Sequence, residues 1–346
     1  MEEVDTLKFY DASDERISLH GLNQVDINKG QYWRTTAKLM EEMPQYDYVG
    51  KRSIGARIRF KTDAETIRIR YRLATESVDL AMGLPAASGI DIYLGKGLDA
   101  KFAGFVAPKT YGYKDQMIEG EIKKSNEMEL VTINFPRNDI LDFIEIGLDE
   151  NAELLKADDY LFQEPIVFYG SSITEGGCAP RPGTAYTSIV TRWLDSDYFN
   201  YGFSGGAKGE LAFAKYIAAH EKIKVFVMDY DHNAPDPEHL EKTHKPFFDT
   251  VRKAKPNLPI VLMTRPDFGR FPITDAKRRS IVYQTYIEAL ENGDENVYFV
   301  DGESFFGFHG REECTIDGCH PNALGFMRMA EVIYPLLRRI LTKDPQ

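Results

Sequence analysis

A chain of 346 residues with 43% hydrophobic and 28% charged residues is long enough to bury about two ordinary cores and has the composition of a folded protein. Its formal net charge of −12, with basic residues scattered among acids, excludes nucleic acid as an expected partner. Three cysteines, Cys178, Cys314 and Cys319, form no metal-type spacing pair, which excludes a disulfide or zinc framework.

In chain order, the start MEEVDTLKFYD is acidic and lacks the basic-then-apolar order of a signal peptide. No apolar run reaches the ~20 residues of a membrane span, so no membrane contact and a cytoplasmic address are expected. From there to about Leu148 the apolar residues alternate, in IGARIRF, TIRIRYRL, IDIYLG, FAGFVA, ELVTINF and DFIEIGL. Short alternating runs rich in Ile, Val, Phe and Tyr, separated by turn-forming pieces, predict an antiparallel β-sandwich of jelly-roll type over residues 1–158. After the charged connector DENAELLKADD the pattern changes. Continuous apolar strands (PIVFYG, YFNYGF, KVFVMDY, PIVLMTRP, VYFVDGES) alternate with longer stretches of helical period, the last being NALGFMRMAEVIYPLLRRIL. That alternation predicts a three-layer α/β domain over residues 159–346, a parallel sheet with helices on both faces.

In such sheets chemistry gathers where strands end and helices begin. The first three strands end in Gly170-Ser171-Ser172, Ser204-Gly205-Gly206 and Asp231-His232-Asn233, and DGCHPN before the last helix places Asp317 three residues ahead of His320. A serine hydroxyl attacks a carbonyl only if an imidazole takes its proton and a carboxylate holds that imidazole. Ser172, His320 and Asp317 fit those parts. Negative charge on the carbonyl oxygen then needs donors fixed in advance, which the Ser172 and Gly205 N–H groups and the Asn233 amide would supply.

The stretches GSSIT, NYGFSGG, DYDHNAP and DGCHPN, in this order from about Pro165 onward, resemble the four sequence blocks of the SGNH, or GDSL-like, hydrolase superfamily. The resemblance implies a flavodoxin-like sheet, Ser172 as nucleophile, Gly205 and Asn233 as oxyanion donors, and Asp317 with His320 as the remaining pair. GIDIY, Gly89 to Tyr93, is similar to the GxDLY signature of β-sandwich domains that precede this hydrolase type. Two departures stand out: Gly170-Ser171-Ser172 replaces the usual Gly-Asp-Ser, and Asp231-His232-Asn233 replaces Gly-x-Asn.

Plainer readings exist for each feature. Gly-Ser-Ser after a strand is commonly only a turn or cap, and Asp317 with His320 could cap the final helix. Four ordered motifs at element edges outweigh that reading. SGGAKGE fits neither nucleotide-binding spacing, and Asp229, Asp231 and His232 would split across a strand, so neither cofactor nor metal is expected. Cys178 and Cys319 read as small packing residues. Arg265, at the end of the fourth strand, and His232, beside Asn233, are candidate substrate-binding residues. The expected activity is hydrolysis of short acyl esters, acetyl foremost, on a small-molecule or oligosaccharide substrate. An acyltransferase using the same site and an inactive carbohydrate-binding protein are the alternatives, and homo-oligomerisation stays open.

Overall fold

The computed structural model describes residues 6–266, 269 and 271–343; the first five residues of the acidic start lie outside it. Two large antiparallel sheets build most of the first half, beside a small two-stranded one of Gln24–Asp26 and Gln31–Trp33. One large sheet orders Leu7–Asp11, Leu141–Asp149, Thr66–Leu73 and Met117–Lys123; the other orders Leu154–Lys156, Arg57–Thr62, Glu129–Asn134, Ile90–Leu94 and Lys101–Val106, with Ser18–His20 also paired to Arg57–Thr62. Their inner faces meet through Ile67, Ile69, Tyr71 and Leu73 on one side and Ile58, Phe60, Ile92, Val131 and Ile133 on the other, all essentially buried. Each such aliphatic side chain contributes roughly 1.5–3 kcal/mol by leaving water.

The strand Met117–Lys123 escapes the alternation test for a local reason. Its inward positions are Ile118, Gly120 and Ile122, and a Cβ on Gly120 would lie 2.9 Å from Val106 Cγ1. Packing thus removes the apolar residue that would have marked the strand. Leu154–Lys156, inside the stretch expected to be a connector, is a short strand on the edge of the second sheet.

The second half is a five-stranded parallel sheet ordered Ser196–Gly202, Phe162–Gly170, Val225–Asp229, Ile260–Met263 and Val297–Val300. Helices Leu211–Ala218, Pro237–Ala254 and Pro272–Glu291 cover one face, against Val167, Tyr169, Met228 and Leu262. Helices Tyr186–Leu194 and Ala323–Leu341 cover the other, against Ile166, Phe168, Val227 and Met263. Both faces being buried explains why these strands read as unbroken apolar runs. Among the described residues no helix is long and apolar enough to cross a membrane.

The two halves dock through the outward face of the second sandwich sheet. Alternation sends Arg57 and Arg59 to that face, yet they are 3% and 2% exposed. Arg57 donates to Asp197 Oδ1 at 2.5 Å and to the Tyr160 hydroxyl at 2.6 Å, and the Arg59 guanidinium lies 3.6 Å from the centre of the Tyr160 ring. The GIDIY stretch serves the same interface. Asp91 accepts from Asn134 Nδ2 at 2.8 Å and from the Gly183 N–H at 3.0 Å, and Arg192 stacks over Tyr93 at 3.9 Å. Asp91 and Tyr93, two residues apart on one strand, therefore face the α/β half together.

Candidate active site

The first parallel strand ends in glycine because the chain must turn sharply there. A Cβ on Gly170 would clash with Thr174 Oγ1 and with the carbonyl oxygen of Asp229, its neighbour in the ladder. One on Gly202, at the end of the adjacent strand, would strike the Glu175 nitrogen. These two glycines let the short helix Ser172–Glu175 sit directly on the sheet edge. The two serines divide the work. Ser171, extended at φ −84°, caps the helix by accepting the Ile173 N–H at 3.1 Å. Ser172 opens the helix and lines a cleft of about 610 Å³.

Across that cleft, Ser172 Oγ lies 2.9 Å from His320 Nε2, and His320 Nδ1 lies 2.7 Å from Asp317 Oδ2. The other Asp317 oxygen accepts the Cys319 and His320 N–H groups at 2.9 and 2.7 Å. Partial burial pulls the Asp317 carboxyl upward, but the His320 ring and these two amides outweigh it and hold the carboxyl below its ordinary range. Asp317 and His320 do not cap the last helix. Asn322 does, accepting from Leu324 and Gly325 N–H groups.

Gly205 has φ +66°, and a Cβ there would meet nothing within 4 Å, so backbone conformation rather than space calls for glycine. The Ser172 and Gly205 N–H groups donate to no acceptor among the described residues, and both residues border the cleft. Asn233 behaves differently from the expectation. Its side-chain amide donates to the carbonyls of Phe203 at 2.8 Å and Gly206 at 2.5 Å, which engages both protons and clamps the glycine loop. Asn233→Ala strands the Gly206 carbonyl and leaves the Phe203 carbonyl only the Gly206 N–H, at 3.0 Å, and is expected to cost about 1–3 kcal/mol in a urea titration while slowing turnover. An unchanged midpoint would contradict the clamp.

The two candidate substrate-binding residues also lie apart from the cleft lining. Arg265 pairs with Asp275, and its N–H donates to Asp231 Oδ2 at 2.9 Å. His232 Nε2 lies 2.9 Å from Cys319 Sγ. Burial, with the nearby charges of Arg265, His320 and Arg278, pushes the His232 ring down to about 3, so it is neutral.

The sandwich half contributes the opposite wall, including Arg52, Ser77, Met82 and Arg137. Behind the wall, Glu175 of the serine helix is fully buried and faces three arginines of the sandwich half. Arg34 and Arg52 approach its Oε1 at 3.2 and 3.4 Å, and Arg137 its Oε2 at 3.2 Å. The same Oε2 accepts the Ser204 N–H at 3.0 Å and the Ser204 hydroxyl. One carboxylate thus ties the serine helix, the Gly205 loop and the first half of the chain together. Nothing in the local sequence around Glu175 signals this cluster, because its partners lie at positions 34, 52 and 137 of another domain.

Asp229, under the serine helix, accepts the Thr174 and Tyr186 hydroxyls on one oxygen, each at 2.7 Å. Burial pushes its carboxyl from 3.8 up to about 7 against those two hydroxyls, with Asp231 adding a little. The folded protein then holds a proton that the unfolded chain releases, so stability falls as pH rises from 3.8 to about 7 and levels off above. Asp229→Asn, which can still accept both hydroxyls, is expected to flatten that slope and to be the more stable protein at pH 8, as judged by urea midpoints at both ends of the range. A slope equal to that of the parent would contradict this.

Comparison with known proteins follows the same division of the chain. Residues 163–338 match the model of the GDSL-like Lipase/Acylhydrolase family, and residues 7–154 match that of the N-terminus of SGNH-hydrolase-type esterases. A search of curated proteins finds no match. Among solved structures, a GDSL-like protein from Bacteroides ovatus ATCC 8483 is 26% identical, with TM-score 0.85 over 97% of this chain and 98% of that one. A salicylyl-acyltransferase from a tetracycline biosynthetic pathway is 19% identical, with TM-score 0.79 over 98% and 99%. An acetyl xylan esterase from the rumen bacterium Butyrivibrio proteoclasticus shares the fold at 12% identity and TM-score 0.59 over 97% and 98%. With a serine, an imidazole and a carboxylate in line at the sheet edge and both halves matched in order, the chain belongs to the GDSL-like lipase/acylhydrolase family, in its two-domain form with an N-terminal β-sandwich.

Proposed function

We propose that the protein is a serine esterase that removes short acyl groups, acetyl foremost, from carbohydrates or similar polar alcohols. The observation that carries this reading is the unbroken line from Ser172 Oγ to His320 Nε2 and from His320 Nδ1 to Asp317. Ser172 attacks the acyl carbonyl and passes its proton to His320 Nε2, while Asp317 fixes the ring with Nε2 as the acceptor. The Ser172 and Gly205 N–H groups meet the developing oxyanion. His320 returns the proton to the departing alcohol, and water, deprotonated in turn by His320, releases the acid. Every step is proton transfer and acyl transfer, which these residues supply without a cofactor.

The polar wall of Arg52, Ser77, Arg137 and Asn138 suits a hydroxyl-rich alcohol better than a long acyl chain. The acetyl xylan esterase fold neighbour agrees with that class. The acyltransferase neighbour favours a second reading, in which an acceptor alcohol replaces water at the acyl-enzyme. A cytoplasmic location would suit oligosaccharides already imported. The test is a panel of acetylated oligosaccharides, read by released acetate and by the ring position that loses its ester, with and without an added acceptor alcohol. Acetate release supports the esterase, transfer to the acceptor supports the second reading, and no turnover of any ester would overturn both.

A further inference from the structure

Beside the serine, the structure gathers a second set of donors. One donor atom from each of Asp317, Cys319 and His320 lies within 4.8 Å of the others. His320 Nδ1 is 2.7 Å from Asp317 Oδ2, and His232 Nε2 sits 2.9 Å from the Cys319 sulfur. Cys319 is not in a disulfide. Sulfur, imidazole nitrogen and carboxylate oxygen are the ligand types of zinc, whose bonds of about 2.0–2.3 Å put tetrahedral donors roughly 3.3–3.8 Å apart. A shift of about an ångström at this half-exposed turn would close the set. We propose that Asp317, Cys319 and His320 form an inhibitory site for a thiophilic divalent cation, with His232 holding the sulfur or serving as a fourth ligand.

The consequence for turnover follows from the two nitrogens of one ring. A cation on His320 Nδ1 takes the lone pair there and leaves the proton of the neutral ring on Nε2. Nε2 then donates toward Ser172 Oγ and can no longer accept its proton. The thiol proton of Cys319 goes to solvent on ligation, so uptake of one cation releases about one proton near neutral pH. Hard cations such as magnesium, which prefer six oxygen ligands, have little purchase on this set. Inhibition by Zn²⁺ is therefore a property of the turn that carries the triad, and the cysteine within it sets the metal preference.

Two readouts separate this proposal from the esterase reading it acts upon. In the first, Zn²⁺ is titrated against ester hydrolysis by the full chain, with chelator reversal, and Cys319→Ser is expected to raise the half-inhibitory concentration at least ~10-fold relative to the variant's own metal-free rate. In the second, Co²⁺ is added to the protein without substrate. A thiolate-to-cobalt charge-transfer band is expected in the parent and is lost in Cys319→Ser. Equal Zn²⁺ sensitivity of parent and variant, or no such band in the parent, would overturn the site. Because the cobalt spectrum needs no turnover, it decides the metal site even if no ester is ever hydrolysed.

Discussion

Ser172→Ala is expected to lower turnover of an acyl ester by ~10⁴-fold or more, with the thermal unfolding midpoint nearly unmoved. Among the described residues the hydroxyl makes one hydrogen bond, to His320, so its loss leaves little behind to destabilise. His320→Ala should cost a similar factor, and the double variant little more than either alone, because the two act as one unit. Ser171 offers an internal contrast. It caps the serine helix, so Ser171→Ala should cost about 1 kcal/mol of stability while keeping most of the turnover. Turnover abolished in Ser171→Ala and kept in Ser172→Ala would exchange the two roles.

Glu175→Ala is expected to be the most destabilising single change near the site, at about 3–5 kcal/mol in a urea titration. Arg34 and Glu175 are fully buried, Arg137 is nearly so and Arg52 is partly buried, and removing the carboxylate takes away the one acid that the three guanidinium groups share. Burial alone would raise the Glu175 carboxyl, but Arg137, Arg34 and Arg52 outweigh it and hold it below its ordinary range. Its stabilising contribution is therefore complete above the ordinary glutamate pKa and is lost as pH falls through the depressed value. The loop bearing Gly205 also loses its anchor at Ser204, so turnover should fall along with stability. A variant as stable and as active as the parent would show that the arginines find other partners and that the cluster does not hold the site.

Much of this was legible in the sequence because the physics behind it is local. Alternation in TIRIRYRL and continuous apolar runs such as PIVFYG reflect one buried face and two, and the glycine that ends each of the first two parallel strands marks a close backbone approach that the structure explains at Gly170 and Gly202. Ser172, Asp317 and His320, 148 residues apart at the extremes, end within hydrogen-bonding distance of one another. What stayed hidden depends on contacts between distant segments. Arg57 and Arg59 look like the solvent side of a strand and are buried only because the second half of the chain covers them. Asn233 looks like a donor into the cleft, but two carbonyls in the neighbouring loop claim its protons first. Glu175 sits in a run read for its serines, and only the folded chain brings three arginines to it.

The most direct test of the account is covalent capture of the nucleophile. The full chain is treated with a fluorophosphonate at neutral pH, and the adduct is located by peptide mass spectrometry, in parallel with His320→Ala. A single adduct on Ser172, formed rapidly in the parent and slowly or not at all in the variant, is the predicted result. An adduct on another residue, or no adduct in a folded parent, would contradict it.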